Sequence, residues 1–241
     1  MRLDKFLSTT GTCSRTEAKK AIRAKAVTVN STVAKSGDMQ IDPHIDKISF
    51  YGEDIIYREH TYIMMNKPDG VVSATDDGKD KTVIDLLPAS IQNNKLFPCG
   101  RLDKNTLGLI LITDDGDLAH ELLSPKSHVS KIYKFKSADT ISISDQDLFE
   151  KGITLADGYR TMPAKIELSD SRDEGYITLK EGKYHQIKRM LGALNNKIIY
   201  LERISFGPLT LDKSLERGEW RYLTEEEVQL LKNHKNTLIG D

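Results

Sequence analysis

Apolar residues come in short blocks of two different periods along this chain. Leu3, Phe6 and Leu7 recur at helical spacing. Ala18, Ala21 and Ile22 repeat that spacing behind Ser14-Arg15-Thr16-Glu17, whose hydroxyl and carboxylate stand where a capping box needs them. Two helices are therefore predicted before residue 25. Val27-Thr28-Val29 and Thr32-Val33 then flank Asn30-Ser31, a hairpin pattern. The polar stretch from Ser36 to Asp54 supplies the last short strands of this small module, and Tyr57-Arg58-Glu59-His60 reads as a linker, because apolar alternation resumes directly after it.

Strands dominate the rest of the chain. Tyr62-Ile63-Met64-Met65 is a buried strand stopped by the turn Asn66-Lys67-Pro68-Asp69-Gly70. Residues 83–87, ending before Pro88, form a short helix or turn. The aliphatic run at 107–112 has the length and branching of a buried strand. Asp114-Asp115-Gly116-Asp117 resembles a calcium loop only superficially: the twelve-residue ligand spacing and closing Glu are missing, so it predicts a turn and a helix start. Residues 131–136 alternate, with Tyr133 and Phe135 on one side. Residues 145–150 read as helix, 152–155 and 163–168 as edge strands, and 175–180 as a further strand. Ile187, Met190, Leu191 and Leu194 form a helical stripe, and 198–207 the final strand. Thr224-Glu225-Glu226-Glu227 caps a terminal helix with Leu230-Leu231 as its apolar edge and a frayed tail beyond.

At 241 residues the chain exceeds the usual single-domain size and can bury a large core, so two domains are expected. Thirty-five Lys and Arg oppose 36 Asp and Glu, which excludes nucleic-acid binding by gross charge and leaves only local basic surfaces. One such surface stands out. The first 35 residues carry eight cations against Asp4 and Glu17, and Arg15, Lys19, Arg23 and, less closely, Lys20 share the helix face opposite the Ala/Ile stripe. That face suits RNA phosphates, with a plain solvated face as the alternative. Cys13 and Cys99 are too far apart to read as a disulfide framework or metal motif, which points to a reducing compartment. The N-terminus has no signal-peptide core and no run approaches the roughly 20 apolar residues of a membrane span, so a soluble, cytoplasmic protein with no membrane partner is expected.

Two stretches carry candidate chemistry. In Gly100-Arg101-Leu102-Asp103-Lys104-Asn105-Thr106-Leu107-Gly108 a carboxylate sits between two cations at the edge of a buried strand, a costly place for an acid unless it is paired. In Glu181-Gly182-Lys183-Tyr184-His185-Gln186-Ile187-Lys188-Arg189-Met190, Lys188 lies beside Tyr184 and His185 on a flanking helix face while Arg189 turns elsewhere. One cation can point into a cleft and the other can serve RNA or solvent.

The segment Arg101-Leu102-Asp103 with Thr106, Gly108 and the aliphatic strand resembles the signature of the pseudouridine synthases, over nearly the whole chain and most closely in the RsuA-type, small-subunit ribosomal RNA branch. Asn66-Lys67-Pro68 with Gly70, Lys131-Ile132-Tyr133 and Gly182-Lys183-Tyr184-His185-Gln186-Ile187-Lys188-Arg189-Met190 match the same family. The opening Arg2-Leu3-Asp4-Lys5, Ser14-Arg15 and Val27-Thr28-Val29-Asn30 are similar to an S4 RNA-binding domain. The chain departs from that pattern at Ala24-Lys25-Ala26, where the family favours Gly, and at Ser31, which replaces the Gly of Asn-Gly.

The resemblance implies an α+β protein: an S4-like RNA-binding domain over 1–58, then over 59–241 a catalytic domain built on a mixed, mainly antiparallel sheet with flanking helices. It implies Asp103 as the catalytic carboxylate, Lys188 as its basic partner and Tyr133 as the ring that stacks on uracil, with Arg101, Leu201, Lys67, His185 and Arg189 as substrate contacts. It implies Arg2, Lys5, Arg15, Lys19, Lys20 and Arg23 as RNA contacts. No metal or cofactor is required, the partner is small-subunit ribosomal RNA, and a monomer is expected. The implied product is pseudouridine at the uridine known as position 516 of 16S RNA. The alternatives are a large-subunit (23S) target and a non-catalytic S4-type assembly factor.

Overall fold

The structure is a computed structural model and describes residues 1–237 apart from positions 56, 58, 90, 93 and 94. Arg58 of the expected linker and the tail after Thr237 thus lie outside the described residues. The chain divides after His60 into two compact units, with Ala89–Ile91 counted in the first.

In the first unit, helix α1 (Leu3–Thr9) is followed by α2 (Arg15–Arg23), opened by the capping box: Glu17 N donates to Ser14 Oγ at 3.3 Å and Ser14 N to Glu17 Oε2 at 2.8 Å. Strands β1 (Val27–Val29), β2 (Thr32–Val33), β3 (Ile48–Phe50) and β4 (Glu53–Ile55) form an antiparallel sheet in the order β2-β1-β3-β4. Leu3, Phe6, Leu7, Ala18, Ala21 and Ile22 pack against Val27, Val29 and Ile48, which consumes the apolar face of both helices. The β1–β2 turn has positive φ at both Asn30 (50°) and Ser31 (65°), the geometry of a type I′ turn, and Lys25 leaves α2 at φ 61°. Glycine is the least strained residue in such conformations; here Ser31 and Lys25 adopt them.

The second unit holds β5 (Tyr62–Lys67), β6 (Phe97–Cys99), β7 (Leu107–Thr113), β8 (Lys131–Ser137), β9 (Lys165–Leu168), β10 (Glu174–Leu179), β11 (Ile198–Phe206), β12 (Leu209–Thr210) and β13 (Trp220–Tyr222). They form one sheet in the order β13-β5-β7-β11-β8-β10-β9, with β12 beside β11 and β6 beside β7. Only β7 and β11 run parallel, meeting at Leu107 with Glu202 and Gly108 with Arg203. Gly108 permits that junction. At φ 96° a Cβ would lie 2.3 Å from the Arg203 carbonyl oxygen, inside any tolerable contact.

Helices α3 (Gly116–Leu123), α4 (Ile143–Lys151), α5 (Gln186–Ala193) and α6 (Glu225–Thr237) flank the sheet. Leu118 and Leu122 of α3 and Val228 and Leu231 of α6 pack with Met64, Leu109, Leu111 and Phe206. Cys99 is fully buried in the same cluster, and burial pushes its thiol up to about 12. The Asp114 to Asp117 stretch is a helix start: Asp115 Oδ1 accepts Leu118 N at 3.0 Å and Oδ2 accepts the Tyr62 hydroxyl at 2.6 Å.

Of the short helix or turn expected at 83–87 the structure has the turn, drawn in by Asp85, which accepts from Thr82 N and Oγ1. Two local expectations need correction. Residues 152–155 make only an isolated bridge, Thr154 to Arg160, because the chain turns at Gly152 (φ 83°) against the Thr161 carbonyl and doubles back. Leu230 is half exposed, so the buried edge of α6 is Val228 with Leu231. Among the described residues no helix is long and apolar enough to cross a membrane.

Candidate active site

Asp103 lies in the loop between β6 and β7, and that loop is held by its own backbone. Leu102 N donates to Ser73 Oγ at 3.0 Å, Ser73 Oγ returns a bond to Leu102 O at 3.0 Å, and Thr106 N donates to Asp103 O at 3.0 Å. Beneath it, Lys67 at the end of β5 is wholly buried, and its ammonium donates to the carbonyls of Pro68 (3.1 Å), Lys104 (3.0 Å) and Thr106 (2.9 Å). Desolvation pushes this ammonium down to about 8, against the opposing pull of Asp69 and Asp103. Lys67 therefore has no surface to offer RNA, and the expectation that it contacts substrate is replaced by a structural one: it ties the Asp103 loop to β5.

The carboxylate meets its counter-charge from α5, which lies in the connection between β10 and β11. Lys188 Nζ is 2.6 Å from Asp103 Oδ2 and 2.6 Å from Asn105 Oδ1, the first contact joining residues 85 apart in sequence. A charge-assisted contact of that length fixes the orientation of the carboxylate as well as balancing it. His185 Nε2 lies 3.4 Å from the other oxygen, Oδ1. The pair is partly shielded, the Asp103 and Lys188 side chains each keeping 23% of their exposure.

The β7–β11 junction decides what stands around the pair. Gly108 abuts Arg203, Arg203 is paired across β8 with Tyr133, and Leu201 with Phe135. An open cleft results, lined by Arg101, Asp103, Tyr133, His185, Lys188 and Leu201 among others. Tyr133 and Leu201 are buried, giving the cleft an apolar wall beside its charged floor. Arg189 points away from Asp103 and pairs with Asp157 at 2.5 Å. Sequence reasoning assigned no role to Asn105, which accepts from Lys188, or to Thr106, Leu179, Lys183 and Gln186, which line the cleft. For Asn105 a signal existed, since it sits between Asp103 and Thr106 in the motif. Among the described residues no group of three His, Cys, Asp or Glu side chains is placed to hold a metal ion.

In the first unit, Lys5, Arg15, Lys19, Lys20 and Arg23 are all exposed, and the four on α2 lie away from its buried Ala18, Ala21 and Ile22. Arg2 differs, clamping Asp4 through Nε (3.0 Å) and Nη2 (2.8 Å).

A mixed sheet whose cleft pairs one carboxylate with one ammonium beside a tyrosine is thus joined in the chain to a small unit with a basic helix. The family described as RNA pseudouridylate synthase matches residues 61–193, and the S4 domain matches residues 1–44. The chain belongs to the pseudouridine synthases of RsuA type and is an isomerase. It is 47% identical over 235 residues to an uncharacterized RNA pseudouridine synthase, YtzG, of Bacillus subtilis, covering 96% of this chain and 98% of that one. It is 44% identical over 230 residues to ribosomal small subunit pseudouridine synthase A of Vibrio cholerae, covering 95% and 98%. A crystal structure of a pseudouridylate synthase matches with a TM-score of 0.67 at 40% identity, over 96% of this chain and 99% of the other.

Proposed function

We propose that this enzyme isomerises one uridine of small-subunit ribosomal RNA, the uridine at position 516, with Asp103 as its catalytic carboxylate. The observation that carries the reading is the 2.6 Å contact of Asp103 with Lys188 on the floor of a cleft walled by Tyr133 and Leu201. The small-subunit target is supported by the 44% identity to the Vibrio cholerae relative of that name. Its ribosomal substrate makes the cytoplasm its place of action.

In the reaction the N1–C1′ bond breaks, the base turns, and a C5–C1′ bond forms; C5 gives up a proton and N1 gains one. Asp103 serves in one of two ways, as nucleophile on the nucleoside or as base at the ribose, and both need it ionised and aimed. Lys188 supplies the charge and the aim. Tyr133 stacks on the uracil against Leu201 and stands where the C5 proton leaves. The S4-like unit binds the RNA through Lys5 and the exposed face of α2, and that affinity falls with salt as phosphates release their counterions.

Asp103→Asn tests the assignment: pseudouridine formation is abolished while RNA affinity is kept, and normal product yield on carbodiimide mapping would defeat it. Mapping ribosomal RNA from a deletion strain tests the target. Loss at position 516 is expected; loss in large-subunit RNA, or nowhere, would overturn it.

A further inference from the structure

Tyr184 is 74% exposed, yet its ring is not loose. It lies parallel to the His185 imidazole, centroids 3.8 Å apart and planes 19° from coplanar. His185 belongs to the cleft wall beside Asp103. One face of the tyrosine is therefore covered by a cleft residue, and the other is left to solvent.

The backbone under this pair is braced at a conformational cost. His185 sits in the left-handed region (φ 49°, ψ 34°), which few non-glycine residues occupy although histidine does so more often than most. Gln186 holds the turn on either side of it: its Oε1 accepts Lys183 N at 2.9 Å and its Nε2 donates to Glu181 Oε1 at 2.7 Å. Glu181 is anchored in turn by the Tyr159 hydroxyl (2.6 Å) and Met162 N (2.8 Å). The same brace sets the start of α5, and it leaves the Tyr184 ring facing solvent. Lys183 and Arg101 both line the cleft, the Lys183 ammonium lying 5.0 Å from the Tyr159 ring centroid.

We propose that the Tyr184–His185 pair is a stacking platform for the unpaired nucleobase next to the uridine in the cleft, a subsite that reads the neighbour rather than the target. It rests on the reading that the cleft takes a uridine. Drawing one nucleotide out of a strand strips its neighbour of a stacking partner, and a pre-set ring at the rim replaces it. Imidazole beneath phenol gives that base a flat two-ring stack, and the adjacent cations meet its phosphate.

The test uses a labelled fragment of small-subunit ribosomal RNA carrying the position-516 uridine, and two versions in which the residue 5′ or 3′ of that uridine is abasic. Affinity is read by fluorescence anisotropy for the parent, Tyr184→Phe and Tyr184→Ala. The parent and Tyr184→Phe lose about 10-fold in affinity for one of the two abasic RNAs, whereas Tyr184→Ala binds all three RNAs alike. A Tyr184→Ala protein that still discriminates as the parent does, or a parent that binds all three alike, overturns the platform. Pseudouridine formation by the parent is followed alongside. Discrimination without isomerisation would sink the catalytic reading and leave the platform standing; isomerisation without discrimination would do the reverse.

Discussion

Two lysines meet the Asp103 loop, and what each one touches separates chemistry from framework. Lys188 reaches in from α5, keeps part of its exposure, and binds the side chains of Asp103 and Asn105. Lys67 comes from the end of β5, is wholly buried, and binds three backbone carbonyls, two of them within the loop itself. One ammonium balances the carboxylate proposed to react; the other gathers carbonyls of the loop and of the turn after β5.

The sharpest break of that division is Lys188→Met. Turnover falls by about 10²–10³, the size of effect seen when one preorganised charge is removed from an active site. Stability, read by urea unfolding, changes by about 1 kcal/mol or less, because the lost pair is partly solvated. Lys67→Met does the opposite first: it strands buried carbonyls and costs about 3 kcal/mol of unfolding free energy, with turnover falling only as the loop loosens. Should Lys67→Met melt like the parent, the framework role is wrong.

A third test follows Lys67 by pH. The native Lys67 ammonium titrates at about 8, below its ordinary 10.5, so between those values the unfolded chain holds the proton more tightly. Its contribution to stability therefore rises as pH climbs through that window, and the gap between parent and Lys67→Met widens. A gap that stays constant across the window would mean that the three carbonyls keep the proton in place.

Much of this was legible in the sequence, and the failures have physical reasons. The capping box at Ser14 and Glu17, the hairpin at Asn30-Ser31 and the buried run into Thr113 are local patterns, and the structure contains them. That Asp103 and Lys188 belong together is not local. Spacing shows only that each is a charge at the edge of apolar sequence, and the resemblance to the synthase family joined them. The substrate role expected of Lys67 came from the resemblance, and nothing in Asn66-Lys67-Pro68 announces that three carbonyls converge on it. Tyr184 was named only as a neighbour of Lys188, since the left-handed turn that stacks it on His185 leaves no periodic trace.

Cys99 has a use that comes from where it lies. With its thiol sealed inside the second unit and shifted far toward the protonated form, it is closed to alkylating reagents while the sheet is intact. Cys13, in the other unit, is only partly covered. Timed iodoacetamide labelling with mass readout would thus report the opening of the second unit at Cys99, with partly exposed Cys13 as a reference for the reagent's access to a folded chain.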